Sequence, residues 1–70
     1  MMDVTEGDVI SLLRERGPLS VAFITRLLYE RGFACTRQKV ERILRSLIKR
    51  GVVEAFYING NKRKHYRLVR

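Results

Sequence analysis

Between Val40 and Ile48 the apolar residues fall at Val40, Ile43, Leu44, Leu47 and Ile48, and beyond Gly51 that spacing gives way to alternation. The first pattern is an i, i+3, i+4, i+7, i+8 stripe, which a helix turns to one side, and the second is the period of a strand. A chain that changes period at a glycine must pack an amphipathic helix against a strand system, and 70 residues give it one small core in which to do so. Val53, Ala55 and Tyr57 alternate with Glu54, Phe56 and Ile58; Asn59, Gly60 and Asn61 supply turn chemistry; His65 to Val69 read as a second strand. A hairpin over about 52–69 is therefore predicted. Val53 and Ala55 should face the helices with Tyr66 and Leu68, leaving Glu54 and Arg67 outward as a cross-strand pair.

Upstream, helix starts are written in the caps. Thr5 followed by Asp8 forms a variant capping box, with Val4 and Val9 as the hydrophobic staple around it. Ser20 and Thr36 each precede a run with helical spacing, and Gly17-Pro18, Gly32 and Gly51 stop those runs. Helices are expected at about 6–16, 21–31 and 37–50, and the whole of 1–70 as one α+β domain.

Charge is divided unevenly along the chain. Residues 1–34 carry four basic and five acidic side chains, and residues 35–70 carry eleven basic and two acidic ones. A compact basic segment of that kind attracts a polyanion. With 46% apolar and 31% charged residues, the chain is too hydrophobic for a disordered basic tail. No apolar run reaches the roughly 18 residues of a membrane span, and the start at Met1, Met2, Asp3 is acidic, so a cytoplasmic location on the nucleoid, or a nuclear one in a eukaryote, is expected. The lone Cys35 and lone His65 make no metal set and no nucleophile-base pair, so neither cofactor nor catalysis is expected. Cys35 reads as a half-buried filler and His65 as a surface residue of the hairpin.

The helix, helix, short turn, helix and basic-tipped hairpin resemble the winged helix-turn-helix family. The residues that carry the resemblance are Gly17-Pro18-Leu19-Ser20, the run from Val40 through Leu47 to Gly51-Val52-Val53, and Tyr66 and Leu68 at the close of the hairpin. It implies double-stranded DNA as the partner, with the third helix in the major groove and the hairpin wing over the backbone or minor groove. The side of the third helix opposite its apolar stripe carries Gln38, Arg42, Arg45, Ser46 and Lys49, with Arg37 and Lys39 flanking its start. Amide and guanidinium groups can make bidentate contacts to adenine and guanine, which marks Gln38 and Arg42 as readers. Asn61, Lys62, Arg63 and Lys64 at the wing tip suit phosphate contact, with Arg63 placed for the minor groove, and Ser20 and Thr36 join the set from the helix starts.

The leading expectation is a sequence-specific transcriptional regulator, and the alternative is a winged-helix interaction module within a larger nucleic-acid complex. A left-handed duplex is a third reading, because Val40 to Leu47 are similar to the recognition helix of Z-form-binding winged domains. Those domains use an asparagine and a tyrosine where this chain has Glu41 and Arg45, and the proline pair of their wing is missing. So short a chain is expected to lack a small-molecule pocket. Met1, Met2, Phe23, Tyr29 and Phe33 form surplus apolar surface on the early helices, where a homodimer contact is expected.

Overall fold

The computed structural model describes residues 2–58, 60 and 62–69, so that Met1, Asn59, Asn61 and Arg70 lie outside the described residues. In chain order it contains β1 (Met2–Asp3), α1 (Glu6–Arg16), β2 (Leu19–Ser20), α2 (Val21–Glu30), β3 (Phe33–Ala34), α3 (Arg37–Lys49), β4 (Val53–Tyr57) and β5 (Lys64–Leu68). Each helix begins where a side-chain oxygen satisfies an orphan backbone donor. Asp8 Oδ2 accepts from the Thr5 backbone N–H at 2.8 Å while the Asp8 N–H donates back to Thr5 Oγ1 at 3.4 Å, the reciprocal box that Thr5 and Asp8 foretell. Ser20 Oγ accepts from the Phe23 N–H at 3.3 Å and Thr36 Oγ1 from the Lys39 N–H at 3.1 Å. Helix α2 stops at Glu30 and α3 at Lys49, one residue short of expectation in each case, because Arg31 and Arg50 serve as caps.

Helix α3 closes on a Schellman turn. The Val52 N–H donates to the Leu47 carbonyl at 2.9 Å and the Gly51 N–H to the Ile48 carbonyl at 3.0 Å, which needs the left-handed backbone that Gly51 adopts at φ 77°. The turn redirects the chain into β4, and β4 pairs antiparallel with β5 in the register Val53↔Leu68, Glu54↔Arg67, Ala55↔Tyr66, Phe56↔His65 and Tyr57↔Lys64. On its outer face the Arg67 Nε donates to Glu54 at 2.6 Å, the cross-strand pair expected from the alternation, and the Arg67 guanidinium stacks 4.2 Å over the Phe56 ring.

Three further strands were not foreseen. β2 adds antiparallel to β5 through Leu19↔Tyr66 and Ser20↔His65, so that the sheet is three-stranded in the order β2-β5-β4. β1 pairs parallel with β3 through Met2↔Phe33 and Asp3↔Ala34. Two-residue strands carry no alternation for a pattern to detect.

The core lies among the three helices and the base of the hairpin. Val9, Leu12, Ile24, Leu28, Val40, Leu44 and Leu47 are buried there, joined by Val4 of the staple and by Val53 of β4. Tyr66 and Leu68 of the central strand pack half-buried against it, but Ala55, opposite Tyr66 on the edge strand β4, is exposed. Cys35 is half-buried, its thiol donating to the Thr25 carbonyl at 3.7 Å, and burial pushes its pKa up, which keeps it protonated and inert as a filler. Among the described residues no helix is long and apolar enough to cross a membrane.

Candidate nucleic-acid interface

Helix α3 presents three surfaces besides its buried stripe, and the position of each side chain follows from about 100° of rotation per residue. Outermost are Gln38, Arg42, Arg45 and Lys49, all exposed. Toward the wing lie Arg37, Glu41 and Ile48, and toward the body of the protein lie Lys39, Ser46 and Arg50.

The body-side residues are tied to acids of the first half of the chain. Lys39 pairs with Asp3 of β1, Arg50 pairs with Glu6 at the start of α1, and the Ser46 hydroxyl donates to the same Glu6 at 2.8 Å. Two expectations are corrected here. Ser46, placed on the outer face by the sequence, turns to α1, because the helix rotates it beside Ile43 on the flank where Glu6 waits. Lys39, expected to flank the DNA-contacting set, is half-buried against β1. Elsewhere Glu15 takes Arg31 at 2.7 Å, Glu30 takes Arg26 at 3.4 Å and Glu54 takes Arg67 at 2.6 Å. The Arg31 guanidinium holds the Glu15 carboxyl below its ordinary pKa, first by its hydrogen bond and then by its charge. That pair therefore contributes above the unfolded pKa of Glu15 and is lost as pH falls through the folded one, and solvent screening at this exposed site keeps the contribution small.

The consequence is segregation. Asp3, Glu6, Glu15, Glu30 and Glu54 are paired with cations, while Arg37, Arg42, Arg45 and Lys49 of α3 and Lys62 and Lys64 of the wing make no ion pair among the described residues. Of these, Arg37, Lys62 and Lys64 border one open concavity of about 440 Å³ between the start of α2, α3 and the wing, lined also by Ser20, Val21, Glu41 and Tyr66, while Arg42, Arg45 and Lys49 stand on the outermost face of α3. A smaller hollow beside it is bounded by Glu41, Arg45, Ile48, Lys64 and Tyr66. The space lies between elements, where the wing stands off from α3, and not within the core.

The remaining predicted site residues divide. Ser20 is buried at the floor of the cleft with its oxygen engaged as a cap, whereas Thr36 is an exposed cap at the N-terminus of α3. Arg63 is exposed on the wing, and its carbonyl oxygen accepts from His65 Nδ1 at 3.0 Å, which orders the strand entry. Asn61 lies outside the described residues. Of the expected dimer contacts, Phe23 and Tyr29 are exposed at 52% and 61%, and Met2 of β1 is exposed as well. Phe33 packs half-buried against the core from β3, so its apolar surface is already used. Met1 lies outside the described residues. Phe23 and Tyr29, six residues apart, sit about 120° apart around α2 and form no continuous stripe.

No protein-family model and no curated protein matches the chain. Solved structures do. The chain is similar to the Zalpha domain of PKZ in complex with ds(CG)6, at 28% identity over 93% of this chain and 94% of that one, with a TM-score of 0.77. It is similar to PadR of Bacillus subtilis in complex with operator DNA, at 27% identity and a TM-score of 0.78, covering 99% of this chain and 42% of that one. The Zalpha domain of Carassius auratus PKZ in complex with Z-DNA matches at 23% identity over 91% of this chain and 90% of that one, with a TM-score of 0.69.

Proposed function

We propose that this chain, a winged helix-turn-helix protein, binds double-stranded DNA as a sequence-selective regulator of transcription, with α3 in the major groove and the wing on the adjacent backbone or minor groove. The observation that carries the proposal is that Arg37, Arg42, Arg45 and Lys49 of α3 and Lys62 and Lys64 of the wing make no ion pair among the described residues, while every acid but Glu41 is engaged elsewhere. Cations so placed release counterions from phosphate, and the outward Gln38 and Arg42 present the groups that read base edges. Support also comes from the operator complex of PadR, whose fold this chain shares.

Different side chains should then fail differently. Arg42→Ala is expected to cost about 1 to 3 kcal/mol on a selected duplex and to flatten preference at one or two positions, while Lys62→Ala weakens all duplexes alike and lowers the salt slope by about one unit. Fluorescence anisotropy on a selected and a scrambled duplex measures both. An Arg42→Ala chain with unchanged selectivity would contradict the assignment.

A left-handed duplex is the second reading, favoured by the likeness to Zalpha domains over nearly the full length of both chains. Glu41 and Arg45 at the positions discussed above weigh against it. Competition between a CG-repeat duplex held left-handed and a right-handed duplex of selected sequence separates the two, and the right-handed one is expected to win. Pairing of two copies is a further part of the proposal, through the exposed Phe23 or Tyr29 and not through one stripe that holds both, and sedimentation at micromolar concentration decides it.

A further inference from the structure

Six of the seven acidic side chains have evident structural work. Asp3, Glu6, Glu15, Glu30 and Glu54 pair with cations, and Asp8 closes the cap of α1. Glu41 does none of this. Arg37 and Arg45 stand one helical turn to either side of it, the spacing at which a glutamate ordinarily forms an ion pair. Yet no lysine or arginine nitrogen lies within 4.0 Å of its carboxylate among the described residues. Glu41 is exposed and borders both the large cleft and the smaller hollow beneath the wing, so it lies at the centre of the basic surface.

A carboxylate in that place opposes the surface around it. It repels phosphate and so lowers affinity for nucleic acid in general, a loss that is offset only where the groove presents a donor. In the major groove cytosine offers its N4 amino group as a lone donor, whereas adenine places the N7 acceptor beside its amino group and guanine and thymine offer acceptors. We infer that Glu41 is a specificity-determining residue that accepts a hydrogen bond from cytosine N4, while Arg37 or Arg45, one turn away, takes the O6 and N7 of a nearby guanine. The inference rests on the DNA-binding reading and deepens it: the carboxylate both selects a G·C-containing step and penalises sequences without one.

Selection of bound duplexes from a randomised pool, run on the full chain and on two variants, tests it. The parent is expected to enrich cytosine at one position about tenfold. Glu41→Gln, whose amide can bond adenine N6 and N7 together, should move that position toward adenine, and Glu41→Ala should lose the preference while binding random duplex several-fold more tightly. Both substitutions fall on an exposed, unpaired side chain, so thermal melts should match the parent and exclude misfolding as the cause. Variants that retain the parent's preference and its affinity for random duplex overturn the inference alone. A parent that selects no sequence overturns the inference together with the reading beneath it.

Discussion

Leu44→Ala and Leu47→Ala are each expected to remove about 2 to 5 kcal/mol of stability, a large share of what so small a domain possesses. Both side chains are fully buried at the centre of the core, on the face by which α3 rests against α1, α2 and β4. Truncation leaves a cavity as well as losing apolar contact, and with few core residues nearby little of the void can be refilled. Denaturant melts measure the loss. The same substitutions at Ile48, exposed at 40%, should cost far less, so equal melts for Leu44→Ala and Ile48→Ala would show that the buried face has been misplaced.

The second large effect is on binding. Reversing both outward arginines, Arg42→Glu with Arg45→Glu, should weaken binding to a selected duplex by roughly 2 to 6 kcal/mol, from two lost contacts of about 1 to 3 kcal/mol each and before any added repulsion. Neither arginine makes an ion pair among the described residues, so the folded state should be little affected. A control reversal at Arg26, which lies on α2 and pairs with Glu30, should leave binding nearly intact. Comparable losses from the two reversals would mean that net charge and not the α3 surface governs binding.

The sequence reveals what is local. Thr5, Ser20 and Thr36 announce helix starts because the donor each satisfies lies three residues on, and Glu54 and Arg67 find each other once the hairpin register is set. Partners distant in the chain were not legible. Lys39 and Ser46 lie 36 and 40 residues from Asp3 and Glu6, and no periodicity reports which flank of α3 meets α1. The same holds for β1, β2 and β3, whose strands are too short to alternate, and for the cleft, which exists only because the wing stands away from α3. Glu41 was visible as a departure from the Z-form pattern. Its lack of an ion pair among the described residues, and its place on the border of both hollows, needed the fold.

Binding of the full chain to one selected and one random duplex, titrated with salt, tests the central claim most directly. Phosphate contacts from the wing and α3 should give both duplexes a steep loss of affinity with salt, while base contacts should keep the selected duplex tighter by a margin that persists as salt rises. The predicted result is two nearly parallel lines of log affinity against log salt, offset by a factor on the order of 10³ or more. Coincident lines would mean a polyanion surface without base reading, and a flat response for both would contradict nucleic-acid binding through this cleft.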